Sequence, residues 1–228
     1  MITIKSSLLR KILKFAIPLV LIPVCVVLGV FVLEEKRYAF VSLGVTVLAL
    51  LLFIAGFEKK KTGTRRLVLC AVMVALSVVG RFIPFFKPIT ALTVITAVYV
   101  GSEAGFFVGA LSAVISNFFF GQGPWTPFQM FAWGMIGFVA GCIGPKMRGK
   151  KWALVAYGVL AGVLYSMVMD VWSVLWLEGG MTAEIYFAAV VSALPHTVLY
   201  AVSNAVFLFL IAKPFGDKLE RVKLKYGV

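Results

Sequence analysis

Acidic residues are scarce in this chain: nine Asp and Glu stand against 22 Lys and Arg in 228 residues, with one histidine and three cysteines. Charged side chains make up only 14% of the sequence, whereas a soluble domain carries about 25%. So little polar material cannot cover a water-facing surface, which excludes a soluble globular enzyme. Cys25, Cys70 and Cys142 form no CxxC pair and each lies in an apolar run, which excludes a disulfide scaffold and leaves buried thiols. A lone histidine and buried cysteines supply no zinc set. No P-loop (GxxxxGKS or GxxxxGKT), GxSxG or HExxH appears either, so the chain carries no ATPase or hydrolase signature of its own. No cofactor is called for.

Apolar length is what the chain has in quantity, at 62% of its residues. A helix needs roughly 20 apolar residues to cross a bilayer. Candidate spans run from about Phe15 to Leu33, Ala39 to Phe57, Leu67 to Gly80, Pro88 to Val100, Ala104 to Phe120, Phe128 to Ile143, Trp152 to Trp176 and Ile185 to Ile211. These are read as helices, giving an all-α polytopic membrane protein. The first run is too long for a signal-peptide core and leads to Leu33-Glu34-Glu35-Lys36-Arg37 without a small-residue cleavage site, so it is read as retained.

The net charge of +13 does not gather on one stripe, so nucleic acid is not the expected partner. The cations sit instead in clusters between the runs: Lys5–Lys14, Lys59–Arg66, Lys146–Lys151 and Lys213–Lys225. With eight crossings these 18 cations share one side, leaving Lys36, Arg37, Arg81 and Lys87 on the other. The positive-inside rule then places both termini in the cytoplasm. Residues 88–120 fit two crossings or a re-entrant pair, because one crossing would break this parity. A boundary is expected near residue 63. Residues 1–63 would form a two-helix annex with a basic linker. Residues 64–228 would form a six-helix core, which holds all five tryptophans and ends in a basic tail. No convincing internal repeat is visible, which weakens an inverted-repeat secondary transporter.

Chemistry concentrates in the outward parts of that core. Gln122, Trp125, Thr126 and Gln129 lie in and beside a turn shaped by two glycines and two prolines. Tryptophan offers a broad apolar face and glutamine both donors and acceptors, which suits a neutral, partly flat, amide-bearing ligand. An interfacial tryptophan anchor would look the same. Arg81 ends a span and could reach a ligand oxygen, while Lys87 reads as a snorkelling cation. Ser166, Asp170 and Ser173 share one helix face and Trp172 with Trp176 another; Ser192, His196, Tyr200 and Asn204 recur every four residues in the last span. Polar groups inside a membrane usually face a cavity or a partner helix, so Asp170 and His196 either contribute to a site or bond to each other. The GxxxG patterns at Gly101, Gly105 and Gly109 and at Gly158 and Gly162, and the AxxxA of Ala71 and Ala75, mark close helix approach.

A small membrane protein with an outward aromatic–amide pocket and no engine resembles the substrate-binding S components of energy-coupling factor (ECF) transporters, a branch of the ABC transporters. The resemblance covers about residues 64–215. The string from Asn117 through Gly121-Gln122-Gly123-Pro124-Trp125-Thr126-Pro127 to Gln129 and Met130 is similar to S components assigned to cobalamin. The two N-terminal helices depart from that family's six-span pattern. The resemblance implies residence in the bacterial plasma membrane, a transmembrane coupling protein, EcfT, and two cytoplasmic ATPases. It also implies that Ala71 and Ala75 lie on the coupling face, and that the chain has no catalytic residues. The expected ligand is cobalamin or a related corrinoid, with another B-group vitamin or a queuosine precursor as alternatives. A secondary transporter and a membrane scaffold are the readings from other classes. The expected ligand-facing residues are Gln122, Trp125, Thr126, Gln129, Arg81, Asn117, Asp170, Trp172, Trp176, His196 and Tyr200.

Overall fold

The structure, a computed structural model, describes residues 6–32, 38–55, 63–177 and 182–226. Among these residues every regular element is helical. Lys36, Arg37, Lys59–Lys61, the 178–181 part of the last outward loop and the side chain of Trp176 lie outside the described residues.

The first apolar run is helical from Ser7 onward. Ser6 caps α1 (Ser7–Ala16) by accepting the Leu9 N–H at 3.3 Å. A π-helical turn (Ile17–Leu21) then leads into α2 (Ile22–Val32). Pro18 lies within the first residues of this widened turn and Pro23 just after it, where missing N–H groups and ring clashes are tolerated. Then follow α3 (Tyr38–Ala55), α4 (Gly63–Gly80), α5 (Ile89–Val100), α6 (Ser102–Phe120), α7 (Trp125–Met147), α8 (Lys151–Leu177) and α9 (Ala183–Tyr226). Five helical stretches among the described residues are long and apolar enough to cross a membrane: Leu8–Gly29, Ser102–Phe120, Trp125–Met147, Lys151–Leu175 and the α9 helix. The chain is a multi-pass membrane protein.

Residues 88–120 form two helices, because Gly101 adopts φ +123°, which a side chain rarely permits, and so separates α5 from α6. At 12 residues, α5 spans about 18 Å, less than the roughly 30 Å hydrocarbon core. It is buried from Ile89 to Tyr99, enclosed by α4, α6, α7 and α9. The α6–α7 contact is close enough that a Cβ on Gly105 would stand 2.7 Å from the Gly137 carbonyl oxygen, the role a GxxxG face predicts. The last span runs past the expected end at Ile211 to Tyr226 as one 44-residue helix, about 66 Å long. The basic tail is therefore ordered helix, and it packs back on α5.

Helices α2 and α3 lie on α6 and α7. Ile17, Ile22, Val26, Val41, Val45, Ala49 and Leu52 are buried in the same hydrophobic cluster as Ile95, Phe106, Met130 and Leu208. Described members of the four basic clusters meet at one end of the bundle. Glu103 pairs with Lys14 at 3.0 Å and Arg66 at 3.7 Å, Arg65 donates to the Tyr226 carbonyl at 2.6 Å, and Arg148 pairs with Glu220 at 3.7 Å. Arg81 and the 121–124 turn occupy the opposite end.

Candidate binding site

Side chains from α4 through α9 meet at that opposite end. Arg81 follows the last turn of α4 and is only 9% exposed. Its Nη1 donates to Ser116 Oγ at 2.5 Å and to Asn117 Oδ1 at 2.6 Å, both from the last turns of α6. Asn117, fully buried, passes the chain on. Its Nδ2 donates to Thr126 Oγ1 at 2.8 Å and Gln129 Oε1 at 2.9 Å. Gln129 Nε2 then donates to the Tyr165 hydroxyl on α8 at 3.1 Å. Thr126 Oγ1 donates to Gln122 Oε1 at 3.0 Å, and Gln122 Nε2 ties to the Val114 carbonyl at 2.8 Å. In this continuous network each amide uses both its donor and acceptor faces, as burial of such groups demands.

Aromatic rings enclose it. The Arg81 guanidinium lies 4.9 Å from the Phe120 ring centre and 5.5 Å from that of Trp133, within cation–π range. Trp133 stacks on Tyr165 at 4.6 Å and donates its Nε1–H to Thr90 Oγ1 at 3.2 Å; Tyr165 meets Tyr200 of α9 edge-on at 5.1 Å. Lys87, in the adjoining loop, donates its backbone N–H to Ser203 Oγ at 2.9 Å and holds Nζ 5.8 Å from the Phe120 ring. Burial first, and the Arg81 cation second, hold its ammonium below the ordinary lysine pKa.

Trp125 and Trp172 meet edge-on at 5.7 Å. The Trp172 indole N–H is buried with no hydrogen-bond partner among the described residues, and so is Oδ2 of Asp170 two residues earlier. Asp170, 7% exposed, lines a cavity of about 560 Å³ between α8 and α9 with Ser173, Val174, Ile185, Ala188, Ala189, Ser192 and Ala193. A buried donor and a buried acceptor left unpaired are costly; of the two residues, Asp170 lines the cavity.

The structure thus brings Arg81, Asn117, Gln122, Thr126, Gln129 and, through Tyr165, Tyr200 into one cluster. Trp125, Trp172 and Asp170 lie beside it. His196 is exposed. Apart from His196, the four-residue stripe on α9 faces α8. Ser192 accordingly lines the cavity, Tyr200 packs on Tyr165, and Asn204, buried, donates to the Gly158 carbonyl at 3.0 Å. Ala71 and Ala75 are exposed on the outer surface of α4, beside exposed Val68, Val72 and Leu76.

Sequence reasoning missed Ser116, Trp133 and Tyr165. Trp133 follows Gln129 by one helical turn, and that spacing could have revealed it. Tyr165 carries no such signal, since only the approach of α8 to α7 brings it to Gln129.

Residues 61–221 match the family model of the ECF-type riboflavin transporter, S component. The chain belongs to this family. As an S component it is a membrane-embedded, substrate-binding subunit for ATP-driven uptake rather than an enzyme, and it works with an EcfT coupling protein and ATPase partners. The matched segment contains every residue of the site just described, from Arg81 to Tyr200. No curated protein and no solved structure matches the chain.

Proposed function

We propose that this S component captures a B-group vitamin with a flat heteroaromatic ring, a flavin first, on the extracellular side. The orphaned pair at the outer end of α8 carries the reading: Trp172 N–H and Asp170 Oδ2 are a buried donor and acceptor with no protein partner among the described residues. Trp172 is one half of the edge-on tryptophan pair with Trp125, and the amide network lies at the same end of the bundle. A neutral ring with carbonyl and N–H edges supplies what both orphans lack, and aromatic faces supply its stacking surface. The family model, named for riboflavin, favours the B-group alternative over cobalamin. Size supports the same choice, because a cavity of about 560 Å³ lies in the ordinary small-ligand range and a corrinoid is several times bulkier than a flavin.

In this reading the core of residues 64–228 binds the ligand with both termini cytoplasmic, and residues 1–63 travel with it. Two ATPases power release through EcfT, which docks on the Ala71 and Ala75 face. The test is titration of the purified chain in lipid nanodiscs with a panel of vitamins that includes riboflavin and cobalamin. Stoichiometric quenching of riboflavin fluorescence is expected. Binding of cobalamin alone would overturn the flavin assignment, and binding of no vitamin would overturn vitamin capture.

A further inference from the structure

Helices α3 and α6 are closed against each other in their cytoplasmic half and open in their outer half. Phe53 of α3 stacks on Phe107 of α6 with ring centres 4.5 Å apart, so the helices touch there. Toward the outer end they enclose a groove of about 270 Å³, lined by Ala39, Ser42, Leu43 and Thr46 from α3 and by Val114, Phe118 and Gln122 opposite. Ala39, Ser42 and Thr46 recur at i, i+3 and i+7, one face of α3, and all are too small to fill the gap. Between Ala39 and Thr46 the groove runs about 10 Å along the helix. Leu43 and Phe118 are exposed by 60% and 75%, so the groove opens sideways to the bilayer.

Its polar groups act as donors. Ser42 is 6% exposed, and its hydroxyl has no hydrogen-bond partner among the described residues. The Thr46 hydroxyl is spent on the Ser42 carbonyl at 2.8 Å. The Gln122 amide donates one N–H to the Val114 carbonyl at 2.8 Å and has a second to give. Ser42 lies one helical turn, about 6 Å, inside the outer start of α3 at Tyr38. That is the depth of the boundary between headgroups and hydrocarbon, where lipid ester carbonyls offer acceptors without donors. A groove that is apolar along its length, open to the side and supplied with donors near its outer end fits an ester-linked acyl chain. A partner helix, about 10 Å across, is too wide for it.

We propose that the α3–α6 groove binds an outer-leaflet glycerophospholipid, with one acyl chain along Ala39–Thr46 and an ester carbonyl accepting from Ser42 and Gln122. Because Gln122 Oε1 also accepts from Thr126 at 3.0 Å, the lipid braces the turn that carries the amide network. The N-terminal helices thereby supply one wall of a lipid site. The test uses the full chain in detergent, stripped of lipid and titrated with palmitoyl-oleoyl phosphatidylglycerol. Native mass spectrometry counts retained lipid, and thermal unfolding reads its effect on stability. Wild type is expected to keep a single phospholipid after gentle activation has removed the rest, and to melt higher with lipid than without. Ser42→Ala, which removes one donor, should weaken retention about three- to tenfold. Ala39→Leu, which fills the mouth of the groove from an exposed position, should abolish both retention and the thermal gain. Val47→Leu, on the exposed surface of α3 outside the groove, should match wild type. Retention by Ala39→Leu equal to that of wild type would overturn the site, and so would loss of the lipid in Val47→Leu or its absence from wild type. Preferential retention of oleic acid, when both are offered, would overturn the phospholipid assignment. Should Ser42→Ala melt early without lipid, Ala39→Leu decides, because its exposed position tolerates the longer side chain.

Discussion

Replacing Asn117 with alanine removes three hydrogen bonds at once from the centre of the amide network. Two are neutral, to Thr126 at 2.8 Å and Gln129 at 2.9 Å; the third accepts from the Arg81 guanidinium at 2.6 Å. Interhelical hydrogen bonds inside membranes average about 0.6 kcal/mol, with a ceiling near 1.7. The neutral pair should sit near the average. The Arg81 bond should sit at the ceiling, because it is charge-assisted and both groups are buried. The loss is then about 3 kcal/mol, or roughly a hundredfold in the folding equilibrium. Ser116→Ala, which takes away only one of the two acceptors of Arg81 Nη1, should cost about 1–2 kcal/mol on the same scale. Equilibrium unfolding in mixed micelles, followed by tryptophan fluorescence, measures both. Trp133 is a built-in reporter, since it stacks on Tyr165, the hydroxyl at the far end of the chain. If Asn117→Ala unfolds within about 0.5 kcal/mol of wild type, a loss below the single-bond average, the network does not hold α4, α6 and α7 together and the reasoning fails.

Three further outcomes are expected. Trp125→Ala should weaken ligand binding about tenfold through lost ring contact while leaving membrane insertion intact; unchanged affinity would reduce Trp125 to an interfacial anchor. Ala75→Leu, on the exposed face of α4, should leave ligand titrations unchanged and abolish co-purification with EcfT, because small residues permit close helix approach only while they stay small. Glu103→Gln should loosen α1 from the bundle by withdrawing the partner of Lys14 and Arg66, at about 1–3 kcal/mol for a buried charged hydrogen bond. Protease sensitivity of the N-terminal segment in micelles reads that loosening, and a digestion pattern identical to wild type would refute it.

Hydropathy and charge spacing determined much of this protein. The helical runs, their polar interruptions and the sharing of four basic clusters by one end are local properties, because a bilayer forces each span to satisfy its own backbone. Glycine spacing was equally legible: Gly105 and Gly162 sit where backbones touch, since a missing side chain is visible without knowing its partner. The turn holding Gln122, Thr126 and Gln129 announced polar chemistry for the same local reason. What the turn does depended on helices distant in sequence. Arg81 and Asn117 are 36 positions apart, as are Gln129 and Tyr165, and no periodicity links them. The stripe on α9 was partly legible: Ser192, Tyr200 and Asn204 all face α8, and only the packing shows that His196 is exposed. The first apolar run gave no hint that its buried side would join the core of α5, α6 and α7, for an apolar residue reads alike whether it faces lipid or protein. Only the packed bundle distinguishes the two, and only there do Asp170 and Trp172 emerge as groups left without partners among the described residues.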